Sequence, residues 1–190
     1  MFLSACTKRQ ELVVLTDSLS SAERQQLHDG DIIMRMGFGQ LSQSIVSMLD
    51  EKQAISHCGI VCISDSDTLV IHSISGSLSY ADGVQSCSLN EFFKDSRPHS
   101  LMITRFKSKD NSFLSCGARN YLKQRIPFDN YFDFEDSSRF YCSELPIHIM
   151  EQKLGRPIFS NKNQRERLQF SNFANRSYFR IILNHAQNEK

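Results

Sequence analysis

The feature that most constrains this chain is a pair of adjoining β-type runs joined by a short polar turn. Ile55 to Ile63 and Thr68 to Ile74 are rich in Ile and Val, and Ser64-Asp65-Ser66-Asp67 lies between them. If the turn closes on Asp65 and Ser66, Ser64 pairs with Asp67. Counting back, Gly59 then lies opposite His72, and His57 opposite Ile74. Directly opposed residues share a face, so His57 and His72 become diagonal neighbours roughly 5–8 Å apart. A slip of one residue would send the two imidazoles to opposite faces.

The rest of the chain supplies partners for this hairpin. Ser20 opens a short helix with Glu23 three residues on. Asp31 to Met36 reads as a strand between Gly30 and Gly37, and Leu41 to Leu49 has helical spacing. Further strands are expected at Tyr80 to Cys87 and Leu101 to Phe106, with a helix over Leu89 to Phe93 opened by Ser88. Ser112 to Gln124 is helical. So is Cys142 to Leu154, with Pro146 in its first turn, where no backbone donor is needed. Strands and helices are segregated, which predicts an α+β fold with an antiparallel sheet. The 190 residues suit one domain of ordinary size over residues 23–190, preceded by a tether over 1–22. Fourteen Phe and no Trp speak to packing rather than chemistry.

Charge excludes some partners. A formal net charge of +1 gives no argument for nucleic acid or an anionic membrane surface. The short basic stretch from Lys162 to Arg167 reads as a solvated face. Six cysteines show no CxxC and no finger-like Cys/His spacing, so neither zinc nor a disulfide framework is expected. Cys58 and Cys62 read as buried thiols on a strand. Leu3-Ser4-Ala5-Cys6 resembles a bacterial lipobox, which implies acylation of Cys6 and a periplasm-facing site on the cell envelope. Without that lipid, the expected location is cytoplasmic. No run of about 18 apolar residues spans a membrane.

Three side chains could do chemistry. Cys142 stands at the expected start of a helix, where unpaired N–H groups and the dipole favour thiolate. On residue type alone, a packing cysteine is the commoner case. His57 shares a strand face with Gly59, which leaves open space beside it. A histidine within a strand is more often a packed core residue, so motif context has to decide. His72 is tied to His57 by the register above.

Three segments in order decide it: Asp29-Gly30-Asp31-Ile32-Ile33, Ser56-His57-Cys58-Gly59-Ile60-Val61, and Tyr141-Cys142-Ser143-Glu144-Leu145. Together they resemble the YiiX/YebB-like branch of NlpC/P60 proteins, papain-like folds whose circular permutation puts the histidine strand before the cysteine helix. Phe128-Asp129-Asn130-Tyr131-Phe132-Asp133 resembles the segment ahead of that family's cysteine, and the likeness covers about residues 28–155. It implies a permuted papain-like fold, an antiparallel sheet or partial barrel packed against helices. It also implies Cys142 as nucleophile and His57 as general base. The third polar position falls on His72, where many members have glutamate. Histidine can accept the base's N–H but supplies no fixed negative charge.

Tyr141 and the backbone N–H groups of Cys142 and Ser143 are candidate oxyanion donors, with a core ring an equal reading of Tyr141. The expected reaction is hydrolysis through a thioester, with no metal and no organic cofactor. Amide substrates fit best: peptide-like cell-wall fragments or N-acyl amino-acid compounds. Two alternatives stand beside it, a lipid acyltransferase or thioesterase and a non-catalytic binding module that keeps the cleft.

Overall fold

The computed structural model describes residues 15–65 and 67–187. In chain order the elements are α1 (Ser21–Arg24), β1 (Ile32–Arg35), α2 (Gly39–Leu49), β2 (His57–Ile63), β3 (Thr68–Ile74) and β4 (Gly83–Ser88). Then follow α3 (Leu89–Lys94), β5 (Met102–Phe106), α4 (Ser112–Gln124), α5 (Glu144–Leu154), α6 (Gln164–Arg167) and β6 (Phe179–Asn184). The six strands form one sheet in the order β4-β3-β2-β1-β5-β6, with every neighbour antiparallel. The class is α+β, as expected.

The hairpin has the two-residue turn. Ser64 and Asp67 exchange backbone hydrogen bonds, and the ladder runs from Ile63↔Thr68 to Ile60↔Ile71. Side chains alternate across the sheet, and each face has its own core. Ile32, Met34, Cys58, Ile60, Cys62 and Ile71 face α4 and α5, whereas Ile33, Val61 and Val70 face Phe92 and Phe93 of α3. Both capping boxes read from the sequence form, Ser20 with Glu23 and Ser88 with Glu91. The two long helices pack closely because Gly117 has no side chain. A Cβ there would sit 2.7 Å from Ile149 Cγ2.

Several boundaries differ from expectation for local reasons. β2 begins at His57 rather than Ile55, and β4 begins at Gly83 rather than Tyr80. Asp82 bends the chain there by accepting the N–H groups of Gly76 and Phe128, and Tyr80 is left fully exposed. α5 begins at Glu144, so Cys142 precedes the helix instead of opening it.

The segment expected to be a loose tether is docked where it is described. Leu19 is buried, and the Asp17 carboxylate accepts the N–H groups of Ser100 and Leu101 and meets His185 Nδ1 at 2.7 Å. Nor is the basic stretch wholly solvated. Arg167 lies 3.6 Å from the Phe134 ring centre and pairs with Glu151 at 2.9 Å.

β6 was not foreseen. It completes the sheet beyond β5, and its Phe179 packs against Phe106 and Phe173 with ring centres 5.5 and 5.7 Å apart. Ahead of it, the Glu51 carboxylate accepts the Phe170 and Ser171 N–H groups, which ties the 3-10 helix Phe170–Ala174 to the end of α2.

Gly83 has φ +85, and a Cβ there would stand 2.1 Å from the Ile126 carbonyl oxygen. Gly83→Ala is expected to cost at least about 2 kcal/mol, read as a lowered thermal midpoint. An unchanged midpoint would refute that close approach of the two backbones.

Candidate active site

The stretch from Phe140 to Ser143 crosses the end of the sheet as a strap, and several bonds hold it there. Phe140 bridges Phe128, with its N–H donated to Pro127 and its carbonyl accepting the Asp129 N–H. Buried Asp129 closes the preceding loop by accepting the N–H groups of Tyr131 and Asp133. Ser73 Oγ donates to the Phe140 carbonyl at 2.6 Å, and Cys58 Sγ donates to the Cys142 carbonyl at 3.2 Å. Below the strap, Ser143 Oγ donates to the Leu168 carbonyl.

Glu144 accepts the Tyr141 N–H from the first turn of α5. Burial lifts this carboxyl to about 7 against the opposing effect of that hydrogen bond, and Asp129, Asp133 and Asp136 add to the rise. The N–H groups of Cys142 and Ser143 precede the first intrahelical bonds of α5, where helix donors have no partner within the helix.

On the other face of the hairpin, His57 Nε2 and His72 Nδ1 stand 2.7 Å apart, with ring centres separated by 5.0 Å. Phe92 stacks on His57 at 5.8 Å and meets His72 edge-on. Both imidazoles are buried, and burial is the main reason their basicity falls. His57 drops well below the ordinary value, with Arg35 and then His72 adding to the effect, and His72 falls to about 4. The pair is therefore neutral near pH 7. If His57 donates from Nε2 to His72 Nδ1, its own Nδ1 carries a lone pair.

Arg35 lies directly across the ladder from His57. Sequence reasoning missed it, although a lone arginine in the run Ile32-Ile33-Met34-Arg35-Met36 was the available signal. The residue is only 6% exposed, and burial lowers its pKa despite the nearby Asp95.

A cleft of about 440 Å³ opens where these two sites meet. Its walls include Cys142, Tyr141, His57 and Arg35, beside Leu41, Ile45, Ile74, Leu78 and Phe128. The Tyr141 hydroxyl is buried and makes no hydrogen bond to protein. Burial and the neighbouring Cys142 sulfur push its pKa well up, which keeps it a donor. Of the residues singled out by sequence, the structure gathers Cys142, His57 and Tyr141 around this cleft. His72 stands behind His57, facing a separate groove with Arg35, Gln85 and Glu91. Ser143 is buried at the end of the strap, with its hydroxyl turned to Leu168, and Cys6 lies outside the described residues.

No family model and no curated protein matches the chain. Among solved structures it is similar to the metalloprotein YiiX from Escherichia coli O157:H7, with 17% identity and a TM-score of 0.56. The match covers 86% of this chain and 93% of that one. The fold is YiiX-like. The described residues do not fit a metal. Among those described, no three His, Cys, Asp or Glu side chains gather as a ligand set, and His57 and His72 turn nitrogens to one another.

The burial of His72 has a consequence for stability. Unfolded histidine ionises near pH 6.5, whereas folded His72 does so at about 4. Between those values the unfolded chain holds the extra proton, so this contribution to stability is lost as pH falls. Glu144 acts in the opposite direction, since its folded value of about 7 lies above the unfolded one. Subtraction between variants removes that contribution. Relative to His72→Gln, the native chain should lose up to about 3 kcal/mol between pH 7 and pH 4, read by urea unfolding. Parallel curves for the two proteins would reject a buried neutral His72.

Proposed function

We propose that this chain is a permuted papain-like cysteine hydrolase that cleaves an amide through a thioester on Cys142. The observation that carries the reading is the sharing of one cleft by Cys142 and His57, with His57 anchored through Nε2 on His72. That anchor leaves Nδ1 as the nitrogen that works on substrate. The YiiX-like fold supports the reading at the level of architecture.

In the proposed reaction, His57 Nδ1 takes the Cys142 thiol proton as the sulfur attacks the amide carbonyl carbon. The oxyanion that forms is received by the N–H groups of Cys142 and Ser143 and by the Tyr141 hydroxyl. His57 passes its proton to the departing amine as the C–N bond breaks, which leaves a thioester. Water then attacks the thioester with His57 again as base, releasing the acid and restoring the thiol. His72 keeps the His57 ring oriented throughout.

Among the described residues no carboxylate hydrogen-bonds the His57–His72 pair, although Glu91 and Asp95 line the groove that His72 faces. An imidazolium on His57 is therefore costly next to Arg35. In the proposed reaction, thiol deprotonation accompanies attack.

Cys142→Ala and His57→Ala are each expected to lower amide turnover by about 10³-fold or more, with little change in thermal midpoint. His72→Ala should cost less, and His72→Glu should preserve or raise the rate. Steady-state kinetics on amides found by library screening measures all four. A His57→Ala enzyme with full activity would remove His57 as the base.

A further inference from the structure

The cleft wall carries a buried cation that the protein leaves incompletely paired. Arg35 Nη1 donates to the Asp95 backbone carbonyl. Its Nη2 stands 3.6 Å from the Asp95 carboxylate, beyond hydrogen-bond length, and that carboxylate is 71% exposed. Arg35 Nε is buried and makes no hydrogen bond to protein. The Phe92 ring covers one face of the guanidinium at 5.0 Å. Removing a charge from water is expensive unless a partner repays it, and a solvated carboxylate at 3.6 Å repays little.

The edge of this guanidinium that makes no hydrogen bond to protein is the one bearing Nε and Nη2. That edge matches a carboxylate, which accepts two parallel N–H bonds from arginine. Much of the remaining wall is apolar, interrupted by Ser42, Ser56, Ser73 and Ser75. Ile45, Ile74 and Phe128 line the cleft, and Leu41 and Leu78 stand half exposed at its rim.

We propose that Arg35 anchors a substrate carboxylate, so that the site selects amphipathic amides with an apolar acyl group and an acidic group close to the scissile bond. The proposal rests on the cysteine-hydrolase reading for the identity of the scissile bond, but binding of the anion does not require turnover. Arg35 acts here as a specificity residue. The acyl chain runs along the aliphatic wall while the anion displaces the Asp95 carboxylate from Nη2. An amide that lacks the acid would leave the buried cation uncompensated and lose the bidentate contact.

Calorimetric titration of the Cys142→Ala protein with N-octanoylglycine and with N-octanoylglycinamide tests this directly. The acid should bind at least about tenfold more tightly than its neutral twin, the range expected of a desolvated charge-assisted contact. Adding Arg35→Gln should bring the acid to the level of the amide, and Arg35→Lys should retain part of the preference. Should Arg35→Gln not fold, the comparison of two ligands on the Cys142→Ala protein decides alone. Equal affinities, or no binding of either compound, would overturn the anchor. Failure of the hydrolase reading looks different: the native protein would bind the acid selectively and release no octanoate.

Discussion

Everything in the candidate site follows from the register of one hairpin. The Ser64–Asp67 backbone pair fixes how β2 faces β3. Because side chains alternate, it also fixes which residues share a face. His57 and His72 then meet on the α3 side. Cys58 and Ser73 emerge on the opposite side and hold the carbonyls of Cys142 and Phe140. A slip of one residue would undo both arrangements at once: the imidazoles would part, and the strap carrying the thiol would lose its two pins. Backbone geometry at a solvent-facing turn thus controls chemistry at the far end of the same strands.

The electrostatics of the site are unusual for a thiol–imidazole pair. Two neutral histidines lean on each other, and the fixed charge beside them is a guanidinium rather than a carboxylate. Burial and Arg35 both oppose protonation of His57. Positive potential in the cleft comes from Arg35 and the leading N–H groups of α5, and in the proposed reaction the imidazole is a transient carrier of protons.

Much of this was legible in sequence because it is local. Ser20 with Glu23 and Ser88 with Glu91 are reciprocal caps that depend on spacing alone. The hairpin register needed only a two-residue turn between runs of β-branched residues. The position of Cys142 ahead of α5 was nearly legible, but the helix starts two residues later because Glu144 turns back to accept the Tyr141 N–H. Tyr80 to Asp82 was misread as strand since the bonds that bend it come from Asp82 to Gly76 and to distant Phe128. Arg35 escaped notice because its burial is made by three other elements, β2, β3 and α3, none adjacent in sequence. Cys58 looked like an ordinary core thiol. Only the fold reveals that it supports the residue it resembles.

The hydrogen bond between Asp17 and His185 has a topological reading. It sets the two ends of the described chain side by side, 2.7 Å apart at that contact. A ring closed there with a short linker would leave the sheet and its cleft untouched, and new ends could be opened at an exposed turn away from the hairpin, such as the one at Lys109. The order in which the elements are spelled along the polypeptide is therefore separable from the architecture they build. Sequence order and catalytic geometry are free to drift apart in such a scaffold.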